Sequence, residues 1–371
     1  MNVDMLKLAK DLIAIPSVSR SSNAVISDFL EEQLKQLYFE VERLAYVDEN
    51  GETKVSLVAK KGSGNDGLSL ISHSDTVPGQ EQDWPAFSPA VQDGRLVGRG
   101  SCDMKGPLAA TIIAAAETDA RRLKKPVYIV VAADEEVGSL GAGNVASEST
   151  LFNDNGPKYG VIAEPTRLLP VYAHKGGCQV KVAAYGQAAH TSTDRGISAN
   201  FLIAPFLAEM AELAKMFKTD ESFMNHEFDP PTTGFNMTLD DGGCRPNVTA
   251  AKTVCTLGFR PMPNDRSQDI AVMITEKAAK YGFEVTSRRF EPFYISPEAE
   301  IVQVACRCTG VEKAETVPFG TDAFVLQDAL ELVILGPGDI AQAHTVGEWI
   351  ELAQLEAAVA IYKQMIEQLC M

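Results

Sequence analysis

Apolar residues in the first part of the chain follow two spacings, one helical and one extended. Leu6, Ala9 and Ile13 share one helical face, and a second helix is indicated over residues 25–37. Four short apolar runs typical of strands follow, with a helix between the second and the third. In chain order these segments are Val55–Ala59, Leu68–Ser72, the helix Gly106–Leu123, Val127–Ala132 and Tyr159–Ala163. Because runs such as VYIVVAA are apolar without alternation, we expect strands covered on both faces, as in an α/β sandwich.

Between about residues 176 and 290 the order of elements changes. The pattern predicts strand, helix, strand, strand, helix and strand, which is the order of a ferredoxin-like unit. The segments are Cys178–Tyr185, Ser198–Phe217, Gly234–Leu239, Thr253–Phe259, Ser267–Tyr281 and Phe283–Phe290. Afterwards the pattern returns to a strand at Leu332–Leu335 and a last helix from Trp349. We therefore predict an α/β fold: a discontinuous three-layer domain with a mixed sheet (1–175 and 291–371) and an inserted ferredoxin-like (βαββαβ) domain (176–290).

Length and charge narrow the possible functions. At 371 residues the chain exceeds the roughly 250 to 300 residues at which one hydrophobic core stops growing, which agrees with two domains. Its 50 acidic and 33 basic residues give a net charge of −17, which disfavours nucleic acid and anionic membranes as partners. The seven cysteines lack paired spacing, and the first residues have the pattern of an amphipathic helix instead of a signal peptide. We therefore expect a cytoplasmic protein.

Five segments place acidic residues or histidines at the ends of predicted strands or before a helix, where an α/β sheet commonly presents a ligand site. They contain His73-Ser-Asp75, Asp103, Asp134-Glu135-Glu136, Glu164 and His344. Taken singly, each has an ordinary explanation, such as a solvated loop, a helix N-cap or a polar turn. For the three consecutive acids the alternative is a bound cation, because like charges so close together repel.

His73 and Asp75 are only two residues apart. On extended backbone they point to the same side, so Asp75 can accept the proton of the imidazole nitrogen that faces away from a metal. The pair is therefore suited to hold a metal-binding histidine in one orientation.

These segments, in this order, resemble the M20 family of zinc aminoacylases and peptidases. The matching stretches are H-S-D-T-V-P, G-R-G-S-C-D-M-K-G, D-E-E-V-G-S, A-E-P-T, G-Q-A-A-H and a late G-P-G followed by His and Glu. They span nearly the whole chain. The resemblance implies a metal-dependent hydrolase of amide bonds, in which the discontinuous domain is catalytic and the insert is a lid and dimerisation domain.

The same resemblance implies a ligand set for two divalent metal ions. His73 and Glu164 would hold one ion, Glu136 and His344 the other, and Asp103 would bridge them. Imidazole nitrogen and carboxylate oxygen are the ligands of catalytic zinc, so zinc is the expected metal, with cobalt or manganese as substitutes.

The family also implies two groups that act on the substrate directly. Glu135 would be the general base that takes a proton from the attacking water. His190 would donate a hydrogen bond to the oxyanion from the partner subunit, which makes the expected active form at least a homodimer.

Four further residues are candidates for binding the substrate. By resemblance Asn247 and Arg260 belong to the lid's substrate-binding set, and an arginine can clamp an α-carboxylate with two hydrogen bonds. Thr321 and Lys175 are the other two candidates. Each of the four has an alternative interpretation as a rim charge or a turn residue.

Within the family, two stretches most resemble the acetylornithine deacetylases. They are E-P-T-R-L-L-P-V-Y-A-H-K-G and L-G-P-G-D-I-A-Q-A-H. This branch implies hydrolysis of a small N-acyl amino acid, N-acetylornithine to ornithine and acetate, as in arginine biosynthesis. The alternatives are a dipeptidase, a carboxypeptidase, a succinyl-diaminopimelate desuccinylase or an N-acetylcitrulline deacetylase of the same family. A zinc-binding scaffold without catalysis is the alternative of a different class.

Overall fold

A computed structural model describes residues 4–154, 156–263 and 265–371. The chain divides into two compact units. Unit 1 comprises Met1–Tyr172, Ile295–Glu315 and Thr321–Met371, and unit 2 comprises Ala173–Tyr294 and Thr316–Gly320. The short segment Thr316–Gly320, which sequence patterns did not separate, belongs to unit 2 because its main chain bonds there: Val317 O accepts from Lys175 N at 3.3 Å.

Ten α-helices lie in the described part of the chain. They are α1 (Met5–Ile13), α2 (Ala24–Gln36), α3 (Lys105–Ala116), α4 (Leu140–Glu148), α5 (Thr150–Asn153), α6 (Ala199–Met216), α7 (Ile270–Ala279), α8 (Glu300–Thr309), α9 (Ala323–Leu326) and α10 (Leu352–Cys370). Two predicted helix bounds are wrong. The helix from Gly106 ends at Ala116, before a separate turn that Asp119 caps, and the last helix begins at Leu352 because Trp349–Glu351 is a strand.

Sixteen strands are described. They are β1 (Glu40–Val47), β2 (Thr53–Lys61), β3 (Leu68–His73), β4 (Ala90–Gln92), β5 (Arg95–Val97), β6 (Val127–Ala132), β7 (Tyr159–Pro165), β8 (Val171–His174), β9 (Gly177–Tyr185), β10 (Asn236–Asp240), β11 (Lys252–Phe259), β12 (Glu284–Phe290), β13 (Phe293–Tyr294), β14 (Glu315–Val317), β15 (Glu331–Gly336) and β16 (Trp349–Glu351).

The main sheet of unit 1 has the strand order β1-β2-β6-β3-β7-β15. The neighbours β6, β3, β7 and β15 pair in parallel, whereas β1 and β2 are antiparallel, so the sheet is mixed. Every residue of β3, β6 and β7 is buried, as the continuous apolar runs predict for strands covered on both faces. Helix α3 packs against β3 and β6 and is itself enclosed by α1 and α10, because its many alanines allow close approach.

A small sheet in unit 1 was not predicted. Its order is β16-β5-β4, and Val97 pairs with Trp349. These strands are only three residues long, too short to show a pattern. The pairing sets the loop after β5 beside the segment before β16, although more than two hundred residues separate them.

Unit 2 has a four-stranded sheet of order β10-β11-β9-β12, with α6 and α7 packed on it. Each neighbouring pair is antiparallel. Alternate residues of β11 are buried, as in a sheet covered on one face, and their apolar side chains join Phe206 and Ile274 in the core. The order of elements along the chain is the predicted βαββαβ.

Among the helices of the described residues, none combines the length and the apolar character that crossing a bilayer requires.

Candidate active site

The carboxyl ends of three parallel strands carry the first group of predicted residues. His73 is the last residue of β3, Glu164 lies near the end of β7, and the acids from Asp134 to Glu136 follow β6. Since β3 pairs in parallel with β6 and β7, these ends meet at one edge of the sheet. The topology thus brings together side chains that are far apart in sequence.

Asp103 lies between two imidazoles. Its Oδ1 is 3.2 Å from His73 Nε2, and its Oδ2 is 3.3 Å from His344 Nε2. His73 Nε2 is also 3.7 Å from a Glu164 oxygen, and His344 Nε2 is 3.0 Å from a Glu136 oxygen. Each oxygen of Asp103 therefore faces a different set of one histidine and one glutamate, which is the arrangement that a bridging carboxylate requires.

This donor set fits divalent cations. Ligand atoms of His73, Glu135 and Glu164 lie within 4.8 Å of one another, as do those of His73, Asp103 and Glu136. Imidazole nitrogens and carboxylate oxygens together suit zinc and similar ions. Glu135 thus has the position of a possible ligand.

The carboxylates of this cluster repel one another. Burial raises the pKa of Glu135 and of Glu164 well above the usual range, and a neighbouring carboxylate adds to each shift, from Glu164 in the first case and Asp103 in the second. Burial and Asp103 likewise raise the pKa of Glu136. The folded protein therefore concentrates negative charge that two divalent cations would offset.

The pKa values of the two imidazoles are raised as well, because the carboxylates stabilise the charged imidazolium form. Hydrogen bonds with Asp103 and Glu136 raise the pKa of His344 to about 10. Burial alone would lower the pKa of His73, but Asp103 and Asp75 outweigh it and raise that pKa. Protons and metal ions consequently compete for the same nitrogen atoms, so metal binding weakens as the pH falls.

Asp75 has more partners than the sequence indicated. His73 Nδ1 is 3.0 Å from the main-chain oxygen of Asp75 and 3.4 Å from its carboxylate. The carboxylate accepts from Ser19 Oγ at 2.7 Å and from Glu135 N at 3.1 Å. Asp75 therefore connects the imidazole of His73 to the main chain of Glu135, and Ser19, which no motif marks, holds it from the other side.

Of the three consecutive acids, Asp134 has a separate environment. Its carboxylate accepts from Lys54 Nζ at 2.5 Å and from the Tyr46 hydroxyl at 2.9 Å. Lys54 and Asp134 are buried, and Asp134 has a left-handed backbone. The ion pair fixes the start of the turn that carries Glu135 and Glu136. In the sequence, a lysine within the buried strand β2 is the only indication of this ion pair.

Most of the other candidates lie in unit 2. His190 is exposed, and its Nδ1 accepts from Ser192 N at 3.2 Å. Asn247 lies in a neighbouring loop, and its main-chain oxygen accepts from Thr191 N at 3.0 Å. Arg260 is exposed, as is Asn247.

Two candidate residues are already engaged within their own unit. Lys175 in unit 2 is buried, and its Nζ donates to the oxygens of Pro230 at 2.6 Å and Thr232 at 2.7 Å. Burial and Arg260 lower the pKa of Lys175 to about 8. Thr321 lies in unit 1, buried, where its hydroxyl accepts from Ala323 N at 3.1 Å.

Comparison with known sequences gives one consistent result. The profile of peptidase family M20/M25/M40 matches residues 69–368. The chain is 32% identical over 374 residues to acetylornithine deacetylase of Myxococcus xanthus, which covers 97% of this chain and 96% of that protein. It is 31% identical over 391 residues to acetylornithine deacetylase of Proteus mirabilis strain HI4320, with 100% and 99% covered.

Solved structures share the fold. An M20 family metallo-carboxypeptidase from Sulfolobus solfataricus has a TM-score of 0.78 at 16% identity, covering 98% of this chain and 99% of that one. A dinuclear metal-binding M20 peptidase from Bacillus subtilis has a TM-score of 0.66 at 16% identity, with 98% and 97% covered. At such low identity the likeness concerns the fold alone, and it confirms the predicted α/β fold with an inserted domain.

The buried ion pair gives a first prediction. Lys54→Met leaves Asp134 charged and buried without its cation, which should lower the free energy of unfolding by about 3 to 5 kcal/mol. Urea-induced unfolding measures the change. Lys7→Met is the matched control, because Lys7 Nζ is 2.6 Å from Asp11 but its side chain is 73% exposed, so its loss should have little effect. Equal effects of the two substitutions would contradict the role given to Lys54.

Proposed function

Because the chain belongs to peptidase family M20/M25/M40 and is a metal-dependent amidohydrolase, we propose that it removes the acyl group from a small N-acyl amino acid, with N-acetylornithine as the preferred substrate. The placement of Asp103 between His73 and His344 is the observation that carries the hydrolytic part of the proposal. The substrate rests on relatives that are about one-third identical over nearly the full chain. The reducing cytoplasm remains our proposed compartment, which the seven free cysteines support.

Two ions would occupy the cluster. His73 and Glu164 would hold one, Glu136 and His344 the other, and Asp103 would bridge them, each oxygen facing one set. Divalent ions in such a site polarise the scissile carbonyl and make water a stronger acid, and zinc suits the donor set best.

Glu135 would transfer the proton of the attacking water during hydrolysis. Its main-chain nitrogen is fixed by Asp75, and its carboxyl group lies beside Glu164 and His73. As general base it would take a proton from the attacking water, and as the carboxylic acid so formed it would pass that proton to the leaving amine.

His190 would act on the oxyanion from a second subunit. Since its Nδ1 accepts a main-chain N–H, the ring proton is on Nε2, which makes Nε2 the donor. The apolar side chains of Phe201, Leu202 and Leu239 are exposed on unit 2, and β10 is an edge strand of its sheet. Exposed apolar surface beside an open edge is suited to pairing with another copy of the chain.

Among the candidates for binding the substrate, we favour Asn247 and Arg260 of unit 2. Asn247 is exposed next to the His190 loop, and the exposed Arg260 could bind the α-carboxylate. Lys175 and Thr321 are less suited to direct contact, because both are buried and bonded to main-chain groups.

Substitution of the proposed base separates chemistry from metal binding. Glu135→Gln should retain two bound ions and lose roughly 10²- to 10⁴-fold in kcat, because the amide takes up no proton. Metal analysis and steady-state kinetics measure the two effects. Glu148→Gln, on the exposed end of α4, is the control. Near-normal turnover of Glu135→Gln would remove Glu135 from its role.

A substrate panel tests specificity. We expect kcat/KM for N-acetylornithine to exceed the values for N-acetylcitrulline, succinyl-diaminopimelate and a dipeptide, measured on the zinc-loaded protein. Each assay is repeated with Glu135→Gln, so that turnover by a contaminating hydrolase is recognised. A higher kcat/KM for any other member of the panel would reject N-acetylornithine as the preferred substrate.

Mixed dimers test the contribution from the partner subunit. A purified heterodimer of one Glu135→Gln and one His190→Ala subunit contains one site with both intact residues only if His190 acts across the interface. It should then have about half of the wild-type turnover per dimer, whereas both parent homodimers stay nearly inactive. A proven heterodimer without recovered activity would contradict action across the interface.

A further inference from the structure

The loop that carries Asp103 is arranged around another carboxylate, that of Glu348. One oxygen of Glu348 accepts from Arg99 Nη1 at 2.7 Å and from Gly100 N at 3.1 Å. The other accepts from Cys102 N at 2.9 Å and Asp103 N at 3.0 Å. The main-chain oxygen of Glu348 accepts from Gly98 N at 2.9 Å. Five donors of one loop thus converge on a single residue.

This loop has no regular structure of its own that could use those N–H groups. Gly98 and Gly100 have positive φ angles of 157° and 82°, so the chain turns its N–H groups inward. Buried N–H groups without acceptors would be costly. Glu348 is fully buried, and Arg99, also buried, supplies the opposite charge. The conformation of the loop therefore depends on an anion at this place.

Glu348 also belongs to the segment that carries His344. It precedes β16, whose Trp349 pairs with Val97 of β5. The residue therefore joins the loop of the proposed bridging ligand to the segment of a proposed terminal ligand. The carboxylate of Glu348 accepts four hydrogen bonds, from Arg99 and from main-chain N–H groups, while Asp103 faces the imidazoles.

We propose that Glu348 is a positioning residue that sets Asp103 at the distance from His344 at which both bind the same ion. The proposal rests on the two-ion site of the proposed function. It gives the late glutamate of the motif a role separate from ligation, namely holding the main chain of the bridging ligand in place before the metal arrives. Residues that orient metal ligands through hydrogen bonds commonly affect metal affinity by about 10- to 100-fold.

The test is a titration of metal-free protein with zinc alone, followed by competition with a chelator. In Glu348→Gln the amide nitrogen replaces one acceptor and opposes the N–H groups it faces. We expect the ion held by His344 to bind about 10- to 100-fold more weakly, and the ion held by His73, which shares only Asp103 with this loop, to be weakened clearly less. Glu351→Gln, exposed three residues later, is the matched control and should bind both ions as the wild type does.

Thermal unfolding of the metal-free proteins separates positioning from general stability. Unchanged affinity for both ions in Glu348→Gln would overturn the proposal, and so would equal weakening of both ions. If Glu348→Gln does not fold, Glu348→Asp keeps the charge and should weaken the ion held by His344 more than the other ion. Failure of both variants to fold would also overturn the proposal, since Glu348 would then be needed for folding as such. A wild-type protein that binds fewer than two zinc ions would instead reject the proposed function.

Discussion

The repulsion among carboxylates at one edge of the main sheet is the constraint on which the site depends. Asp103, Glu135, Glu136 and Glu164 lie around two imidazoles, and burial together with neighbouring charge raises the pKa of the three glutamates. Such a cluster would relax by rotating side chains apart if its main chain were free to move. The folded chain must therefore hold the acids together by contacts outside the cluster.

Three other acids provide those contacts. Asp75 accepts from Glu135 N, Asp134 is held by Lys54 and Tyr46, and Glu348 accepts from Asp103 N. Asp75 and Glu348 thus fix the main-chain nitrogen of an acid of the cluster, and the ion pair of Asp134 anchors the residue that precedes Glu135. The acids of this region therefore divide into two groups: those proposed to face the metal ions and those bonded to main-chain N–H groups or to a cation.

Motifs and strand patterns predicted the residues of the first group, whereas they did not predict the partners of Asp134 and Glu348. The buried strands show as uninterrupted apolar runs, and parallel pairing then brings His73, Glu164 and the acids after β6 to one edge. The anchors depend on pairings between distant segments, such as that of Lys54 with Asp134 or Arg99 with Glu348. Three-residue strands such as β5 and β16 are too short for a periodic signal, so nothing local indicates the contact of Arg99 with Glu348, and a lysine within β2 is the only indication of the other contact.

The division also explains why adjacent acidic side chains differ in role. Asp134, Glu135 and Glu136 share one motif and one turn, yet only Asp134 has a buried cation within reach. With that charge neutralised within the protein, Asp134 adds little to the repulsion, while Glu135 and Glu136 are repelled by Glu164 and Asp103 respectively. Two divalent ions bring four positive charges to the four carboxylates of the cluster. Because Lys54 and Arg99 neutralise Asp134 and Glu348, the negative charge that remains in this region is one that two divalent ions can balance.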